Sequence, residues 1–499
     1  MAATLEMLPV EKDGMDGSID QVEDDKIEAE AEFDVAAAAA EKKWVSLLLI
    51  SNISLISIDR LVRKIDMRIM PVTALIYLLC YLDRSNIGNA KILNSSTKDD
   101  LLSSINMTTY EYTVALMVFL VAYSLFEAPS NLAMKIFSPP RWLGFLVFAF
   151  GALCAGIAGS RSVATITALR FFLGAAEAGV FPGMIFYLSF WYRPHERATR
   201  IAGFLCSATL AGAFGGAIAY GIGHMNLAGG LEAWRWLFII EGAPSIICGI
   251  FIFFFLPQYP ETVSWLNAEE KLLQEARMGA NCSKGEEKLN WADAKATLKD
   301  LRLWVHYITY MALGVGVSSL SLFSPTIVAG LGYVDLQAQL FTVPPYACAY
   351  VVTFAVAMYS DYKKTRGLIA GICFSIGAIS FIIQAVLAED AYKARYAFLV
   401  LSTCGVFGGL PPLCAWVSDN VRSTTAGSLA SGLNIAFTGP GQIIGVWIYR
   451  AQDKPAYRLG HAINAGFLVL GGALSFGLHI YYRRLNKKMV GNNTPKWTT

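Results

Sequence analysis

Twelve apolar runs constrain the fold of this chain, each close to the ~20 residues that a transmembrane helix needs. A helical residue rises about 1.5 Å, so such a run crosses a hydrocarbon core about 30 Å thick. The sequence therefore predicts an all-α membrane protein with twelve transmembrane helices. The runs lie near 69–92, 112–136, 142–160, 164–190, 200–223, 234–256, 303–328, 338–360, 367–388, 395–417, 423–449 and 461–482.

The composition agrees with a membrane protein. Of 499 residues, 55% are hydrophobic and 16% are charged, whereas about a quarter of the residues of a soluble globular chain are charged. The nine cysteines are spread singly, without CxxC or metal-ligand spacing. We therefore expect them to be packing residues, with no metal site and no redox framework.

A polar stretch at 257–302 separates the runs into two groups of six. Within it, the spacing of Asn267 and Glu270 is typical of a helix start, which predicts a short amphipathic helix. Two groups of six with a long connection indicate two homologous bundles around a central site. The expected domains are an acidic tail (1–67), an N-terminal bundle (68–256), a central loop (257–302), a C-terminal bundle (303–485) and a second tail (486–499).

Lysine and arginine are concentrated in alternate loops, and this bias predicts the orientation in the membrane. With the N-terminus inside, the cytoplasmic loops receive the basic clusters near 135–141, 193–200 and 363–366. Both termini, and the central loop, are therefore predicted to be cytoplasmic. Residues 1–43 hold 13 acidic and 4 basic side chains and are alanine-rich, which is typical of a disordered tail.

An additional apolar segment at 44–60 lies between the acidic tail and the first run. It is short for a spanning helix and too far from Met1 for a signal peptide. Two explanations stay open. The segment is an interfacial helix, or residues 45–60 are a translated intron, because Val45-Ser46 is what the splice-donor sequence GTAAGT would encode in frame. Sequencing of spliced transcripts distinguishes the two.

Acidic and basic side chains interrupt two predicted membrane helices. Asp83 and Arg84 are adjacent in the first run, and Arg170 and Glu177 are seven residues apart in the fourth. Each such residue costs about 2.5 to 3.5 kcal/mol at the centre of a spanning helix, so these residues usually face a cavity or a partner. The spacing predicts that Arg170 and Glu177 share one helix face, whereas Asp83 and Arg84, about 100° apart, point in different directions. The four form a functional cluster or, alternatively, ion pairs that fix helix packing.

The C-terminal bundle carries uncharged polar side chains. Asn434, Thr438 and Gln442 recur every four residues in the eleventh run, so the sequence predicts that they share one face of a helix. These side chains could contact a ligand or could join neighbouring helices.

Several short motifs narrow the class further. They are YLDRSNIGNAK at 81–91, FEAPSNL at 126–132, RFFLGAAEAGVFPG at 170–183, LPQYPET at 256–262 and GQIIG at 441–445. Together they resemble the anion:cation symporter family of the major facilitator superfamily, specifically its fungal allantoate, nicotinate and pantothenate permease branch. The resemblance covers about residues 61–485. It implies the major facilitator fold, with two pseudo-symmetric six-helix bundles, and uptake of a small organic anion with protons by alternating access.

The same resemblance implies roles for the charged cluster. Asp83 and Glu177 are expected to carry the proton, which is the coupling ion, and no other cofactor is expected. Arg84 is expected to meet the substrate carboxylate, and Arg170 to couple the acids to it. This division suits an organic anion, because a guanidinium group holds a carboxylate through two parallel hydrogen bonds and keeps its charge. Asn434, Thr438 and Gln442 would then select the rest of the ligand. A nicotinate-like monocarboxylate is favoured, with pantothenate, allantoate and related carboxylates as alternatives.

The loop after the eighth run, SDYKKTRG at 360–367, resembles the superfamily's acidic and basic signature. It implies that Asp361, Lys363 and Arg366 form a conformational latch on the cytoplasmic side, away from the ligand.

Other functions remain to be weighed. Drug efflux by proton antiport is disfavoured, because the fifth run has Ala211-Gly212 where that class carries a Gly-Pro pair. A nutrient sensor that binds without transport stays open. An enzyme is not expected, because no polar loop presents a nucleophile with a base.

Glu127 and Glu241 are either packing residues or part of the transport site. We expect a monomer in the plasma membrane, with the lipid bilayer, protons and a small anion as partners and no nucleic acid.

Overall fold

The computed structural model describes residues 55–278, 291–333, 335–421, 424–488 and 497–499, and regular structure among them is helical throughout. The α-helices, in chain order, are α1 (Leu55–Ala90), α2 (Leu101–Ser104), α3 (Thr109–Ile136), α4 (Pro139–Ile157), α5 (Val163–Glu177), α6 (Val180–Ser189), α7 (Pro194–Gly223), α8 (Ala233–Phe255), α9 (Ala268–Met278), α10 (Trp291–Lys299), α11 (Leu301–Gly330), α12 (Asp335–Leu340), α13 (Val343–Lys363), α14 (Arg366–Val386), α15 (Tyr392–Asp419), α16 (Thr424–Ala436), α17 (Thr438–Trp447) and α18 (Arg458–Lys488). Short 3₁₀ turns occur at Ser95–Thr97, Ala228–Gly230, Pro260–Thr262 and Ala451–Asp453.

Eleven helical stretches of the described chain are long and apolar enough to cross a membrane. α5 and α6 together form one of them, Val163–Ser189, and Leu336–Lys363 combines most of α12 with α13. These eleven stretches match eleven of the twelve predicted runs. The apolar segment predicted at 44–60 lies outside the described residues up to residue 54, and residues 55–60 belong to α1.

The twelfth predicted run, 423–449, is two consecutive helices rather than one. α16 ends at Ala436 and α17 begins at Thr438, so the helices meet at Phe437. Pro440 explains the interruption: a proline lacks the N–H that would bond the carbonyl four residues earlier, and its ring clashes with that carbonyl. The carbonyl concerned belongs to Ala436, the last residue of α16.

The chain divides into two compact units. The described residues of the first are 55–64 and 264–278. In its described part, the N–H of Asn267 donates to Glu270 Oε2 (2.9 Å), and Lys64 Nζ lies 2.7 Å from the same oxygen. α9 follows Asn267 directly, which confirms the predicted short helix. The second unit consists of residues 65–263 and 282–499 and contains the site described below.

Within the second unit, the long helices pack mainly inside two sequence halves. In the first half α4 packs along α8 and α3 along α5, and in the second half α14 packs along α15 and α18 and α11 along α17. Glycines allow the backbones to approach, as at Gly151, where a Cβ would lie 2.7 Å from the Ile246 nitrogen of α8.

The two halves meet where α7 packs on α13 and where α3 packs on α17. Small residues of α7 permit the two halves to approach closely. Gly212 faces the Tyr346 ring, and Gly216 faces Thr342. The space left between the halves is where the candidate site lies.

Candidate functional site

A cavity lies between the halves, and a smaller adjoining space shares Tyr81, Arg84 and Gln442 with it. Pockets for small organic ligands are mostly apolar, with a few polar groups that fix orientation. Both spaces fit this description, since leucine, valine and aromatic side chains supply most of their lining.

Arg84 and Glu177 form an ion pair at the edge of the cavity. Arg84 Nε of α1 lies 3.2 Å from Glu177 Oε2 of α5, and the Glu177 side chain is 0% exposed. Cys80 Sγ approaches the same oxygen at 3.6 Å, whereas Glu177 Oε1 has no partner in the described part of the chain. The Arg84 guanidinium carbon is also 4.6 Å from the centre of the Tyr123 ring, a distance that permits a cation–π interaction.

Arg170 presents a buried guanidinium with unused hydrogen-bonding capacity. It is 1% exposed and lies on the same buried face of α5 as Glu177, which confirms the prediction from their spacing. Arg170 Nη2 donates to the Arg84 carbonyl at 3.5 Å, while Nε and Nη1 have no partner among the described residues. Because Arg170 lines the smaller space, two donors of a fixed positive charge are available beside the cavity.

Asp83 faces away from Arg84, as the helical geometry predicts. Its Oδ2 accepts a hydrogen bond from Ser245 Oγ of α8 (3.0 Å), and its Oδ1 accepts one from Cys154 Sγ of α4 (3.2 Å). Asp83 is 0% exposed and is not among the residues that line either space. The structure therefore brings Arg84 and Arg170 to the cavity wall, with Glu177 paired to Arg84 but lining neither space, and places Asp83 on the other side of α1.

Glu241 and Asn86 extend the polar group around Asp83. Glu241 of α8 is 3% exposed and interacts electrostatically with Asp83. Asn86 of α1 faces it, yet none of the four terminal oxygen and nitrogen atoms of these two side chains completes a hydrogen bond within the described residues. The sequence left the role of Glu241 open. Asn86 was not predicted as a site residue, because an uncharged side chain in an apolar run does not indicate function.

The polar residues predicted in the eleventh run divide into two groups. Thr438 and Gln442 line the larger space, and Gln442 also lines the smaller one. Asn434 is 2% exposed and lines neither space. The lining positions Ile435, Thr438, Gly439 and Gln442 follow helical spacing, and Asn434 falls beside this face.

Aromatic residues make up much of the cavity wall and were not predicted from the sequence. Tyr77, Tyr81, Tyr123, Tyr310 and Phe181 all line the larger space. Tyr81 Oη lies 2.9 Å from Ser321 Oγ, so this hydrogen bond joins the two halves beside Arg84. Aromatic residues are common throughout the apolar runs, and nothing in their spacing distinguishes those that face a cavity.

The predicted latch is partly assembled away from the cavity. Arg366 Nη1 lies 2.7 Å from Asp361 Oδ1, and Arg366 Nε also pairs with Asp419 of α15. Thr199 Oγ1 of α7 donates to Asp361 Oδ2 at 2.9 Å, which connects the two halves. Lys363 is exposed and lies over the neighbouring Tyr362 ring, 5.2 Å from its centre. Asp419 was not predicted, because its partner is 53 residues away.

The two halves are also in contact at the end of α1 that contains Asn89. Gln339 Nε2 of α12 donates to the Asn89 carbonyl at 3.0 Å. Lys91 Nζ lies 4.8 Å from the centre of the Tyr112 ring of α3 and 5.3 Å from that of Phe323 of α11. These contacts close the cavity at that end. Elsewhere, no group of three or more His, Cys, Asp or Glu side chains in the described ranges is arranged to hold a metal ion.

Known proteins resemble this chain along most of its length. Its 433-residue match to "MFS transporter prlL" of Fungal sp. (strain NRRL 50135) is 52% identical and covers 86% of this chain and 88% of the relative. A 433-residue match to the "High-affinity nicotinic acid transporter" of Saccharomyces cerevisiae is 31% identical and covers 86% and 79% of the two chains.

Solved structures support the architecture. A bacterial homologue of the human lysosomal transporter Spinster, solved in an inward-facing and unoccupied conformation, superposes with a TM-score of 0.64 at 15% identity, covering 83% of this chain and 97% of that one. This likeness confirms the predicted all-helical fold. The family model "Major Facilitator Superfamily" matches residues 73–446. The chain therefore belongs to the major facilitator superfamily and is a multi-pass membrane transporter, not an enzyme.

Proposed function

We propose that this transporter takes up a small organic anion together with protons by alternating access, as a member of the anion:cation symporter family. The observation that carries the proposal is Arg170, whose Nε and Nη1 have no partner within the described residues although the side chain is 1% exposed. A buried, unpaired charge costs several kcal/mol, so a site of this kind is stabilised when an anion supplies the missing acceptors.

A carboxylate suits the Arg170 guanidinium, whose parallel donor pairs are Nε with Nη2 and Nη1 with Nη2. The planar guanidinium fork matches the two oxygens of a carboxylate, and such pairs are about twice as strong as hydrogen bonds between neutral groups. Arg84 lies beside the same space but is already paired with Glu177. The anion would therefore meet Arg170 first and gain Arg84 when the ion pair opens.

The remaining lining favours a flat, aromatic monocarboxylate. Tyr77, Tyr81 and Tyr123 line the larger space, and Thr438 and Gln442 add neutral hydrogen-bonding groups. Aromatic rings stack on one another with centroids about 4.5–7 Å apart. A nicotinate-like acid has the required shape and charge, and a similar yeast protein is named a nicotinic acid transporter. Pantothenate, allantoate and related carboxylates are the alternatives.

Proton coupling would use Glu177 first. Protonation of its carboxyl removes the charge that holds Arg84, so Arg84 becomes available to the substrate, and substrate release reverses the exchange. Asp83 is the second proposed proton carrier, and its hydrogen bonds to Ser245 and Cys154 connect it to α8 and α4 rather than to the cavity. Binding of the anion and binding of the proton would then favour each other.

The proposed orientation places both termini in the cytoplasm and the protein in the plasma membrane. The contacts around Asn89, Lys91 and Gln339 would then close the outer side, and Asp361, Lys363 and Arg366 would act at the inner side. The latch would control the exchange between inward-open and outward-open states without touching the ligand.

An uptake screen tests the proposal. Cells lacking their own carboxylate permeases are supplied with labelled nicotinate, pantothenate or allantoate at acidic and neutral pH, and nicotinamide serves as the neutral control of matched shape. We expect accumulation of nicotinate that is greater at acidic pH, and none of nicotinamide. Export from preloaded cells would indicate an efflux pump instead, and binding without net uptake would indicate a sensor.

A further inference from the structure

Residues Trp497, Thr498 and Thr499 lie against the ends of four helices of the second half. Hydrogen bonds and ring contacts connect these three residues to α11, α14 and α18 and to the end of α15. None of the residues that these three contact lines the cavity. The geometry of these contacts is that of a peptide-binding site.

Two asparagines bind the backbone of consecutive residues. The Trp497 N–H donates to Asn486 Oδ1 at 2.8 Å, and Asn486 Nδ2 donates back to the Trp497 carbonyl at 2.7 Å. The Thr498 N–H donates to Asn420 Oδ1 at 2.9 Å, and Asn420 Nδ2 donates back to the Thr498 carbonyl at 3.0 Å. An amide side chain has one acceptor and one donor group, so each asparagine satisfies both backbone groups of one residue, as a neighbouring β-strand would.

Two further bonds involve groups that a helix end leaves available. The Gly367 N–H, in the first turn of α14, donates to the Thr499 carbonyl at 3.2 Å. The first N–H groups of a helix have no partner inside the helix, so the peptide completes the end of α14. Trp416 Nε1 of α15, a fully buried residue, donates to the Thr498 carbonyl at 2.9 Å.

The Trp497 side chain supplies the specificity that backbone bonds lack. The guanidinium carbon of Arg302 lies 4.6 Å from the centre of its ring, and the Tyr482 ring centre lies 6.0 Å away. A cation over an indole face contributes about 0.5–1 kcal/mol at an exposed site and more when water is excluded. By contrast, all three hydrogen bonds of Thr498 use its backbone.

We propose that this end of the second half is a binding site for an extended peptide and that residues 497–499 are its intramolecular ligand. The peptide is bound next to the latch, because Gly367 follows Arg366 and Asn420 follows Asp419, and these two charged residues form an ion pair. Occupancy of the site therefore fixes the two helix ends that carry that pair.

Substitutions in the full-length protein test the binding mode. Asn420→Ala and Trp497→Ala should each lower the melting temperature of the purified protein by a few degrees, whereas Thr498→Ala is the matched control and should not. Because either change should release the same bound segment, the double variant should melt no lower than the less stable single variant. Fully additive losses, or a loss in Thr498→Ala as large as in Asn420→Ala, would overturn the proposal.

Hydrogen exchange and an added peptide provide a test independent of stability. In Trp497→Ala the Gly367 amide should exchange at least several-fold faster than in the wild type, and a synthetic peptide of residues 491–499 should restore both its protection and the melting temperature. The same peptide with alanine at position 497 is the control. Unchanged exchange at Gly367, or equal rescue by the two peptides, would contradict an intramolecular ligand.

The connection to the latch can be examined by transport and rests on the proposed function. Trp497→Ala should change the turnover of nicotinate uptake at least twofold while leaving the substrate concentration for half-maximal uptake unchanged. Unchanged turnover would refute the connection to the latch. If the wild type moves no carboxylate at all, the proposed function fails, but the melting and exchange measurements still decide whether the peptide site exists.

Discussion

Arg84 and Glu177 form a buried ion pair between α1 and α5, with 3.2 Å between Nε and Oε2, and Arg170 lies on the same helix face as Glu177. The two guanidinium groups line a common space, and the acid pairs with one of them. Arg170 keeps two donors unpaired within the described residues.

The first prediction concerns the shape of the Arg84 side chain. Arg84→Lys keeps the charge but loses the planar pair of donors, so we expect weaker binding of a carboxylate substrate. Hydrogen bonds to charged groups contribute about 1.5–3 kcal/mol, which corresponds to about tenfold or more in apparent affinity. The measurement is uptake as a function of substrate concentration, with Arg450→Lys, at an exposed position, as the control. Near-normal affinity in Arg84→Lys would make Arg84 a structural partner of Glu177 only.

The second prediction separates the polar residues of the eleventh run. Gln442 lines both parts of the cavity, whereas Asn434 is buried and lines neither. Gln442→Ala should weaken binding by about 0.5–1.5 kcal/mol, which is a few-fold to about tenfold in affinity. Asn434→Ala should leave affinity nearly unchanged in the protein that folds. A radioligand binding assay on both purified variants tests this prediction. A larger loss of affinity in Asn434→Ala would show that Asn434 contacts the ligand.

Asp361 provides the third prediction. It accepts hydrogen bonds from Arg366 and Thr199 and so connects the two halves at a distance from the cavity. Asp361→Asn should therefore change turnover more than affinity. Lys363→Ala is the matched control, because Lys363 is exposed and contacts the ring of its neighbour Tyr362. Initial rates and half-saturating concentrations are measured together, and a large affinity loss at unchanged turnover would contradict this placement.

Glu241 gives the fourth prediction. Its two carboxyl oxygens have no hydrogen-bond partner in the described part of the chain, and the nearest charged group acting on it is the acid Asp83. A buried charge without a partner costs several kcal/mol, so the site is suited to a neutral side chain. Glu241→Gln introduces a neutral side chain of the same size, so the melting temperature should change little. The expected change in the free energy of unfolding is about 0.5 kcal/mol or less. A large loss of stability would show that a charged Glu241 is required.

Much of the fold follows from hydrophobic run length, because a bilayer imposes a minimum length on every spanning helix. The course of the eleventh run did not follow completely. The helices meet at Phe437, because the effect of Pro440 falls on the carbonyl four residues earlier. The four-residue repeat predicted one face for Asn434, Thr438 and Gln442, but only Thr438 and Gln442 line the cavity.

The candidate site could be predicted only where its geometry is local to one helix. The shared face of Arg170 and Glu177, and the divergence of Asp83 and Arg84, follow from helical spacing. The partners of Asp83 on α4 and α8, the tyrosines of the cavity and the pairing of Arg366 with Asp419 depend on how distant helices pack. No spacing within a single run contains that information. The same holds for the contacts of Trp497 and Thr498 with residues up to 82 positions away.

Proton coupling is the central claim of the account. Glu177 neutralises Arg84 in the observed conformation, so protonation of Glu177 should release Arg84 to the substrate anion. Uptake should therefore increase as external pH falls and collapse when a protonophore dissipates the gradient. Two ligands that each favour the other's bound state are linked in both directions, so a proton gradient should drive the anion and an anion gradient should move protons.

Glu177→Gln separates coupling from folding. The substitution removes the proton site and leaves a side chain of the same size, so the loaded transporter can still reorient. We expect loss of concentrative uptake with retention of substrate exchange across the membrane. A folding defect would remove both activities.

The most direct test is reconstitution of the purified protein into liposomes with an imposed pH gradient, acidic outside, and measurement of labelled nicotinate inside. We predict that the wild type accumulates nicotinate above its external concentration only while the gradient persists. In Glu177→Gln the internal nicotinate concentration should reach the external one and not exceed it. Accumulation by the wild type that is indifferent to the gradient, or undiminished accumulation by Glu177→Gln, would contradict the mechanism.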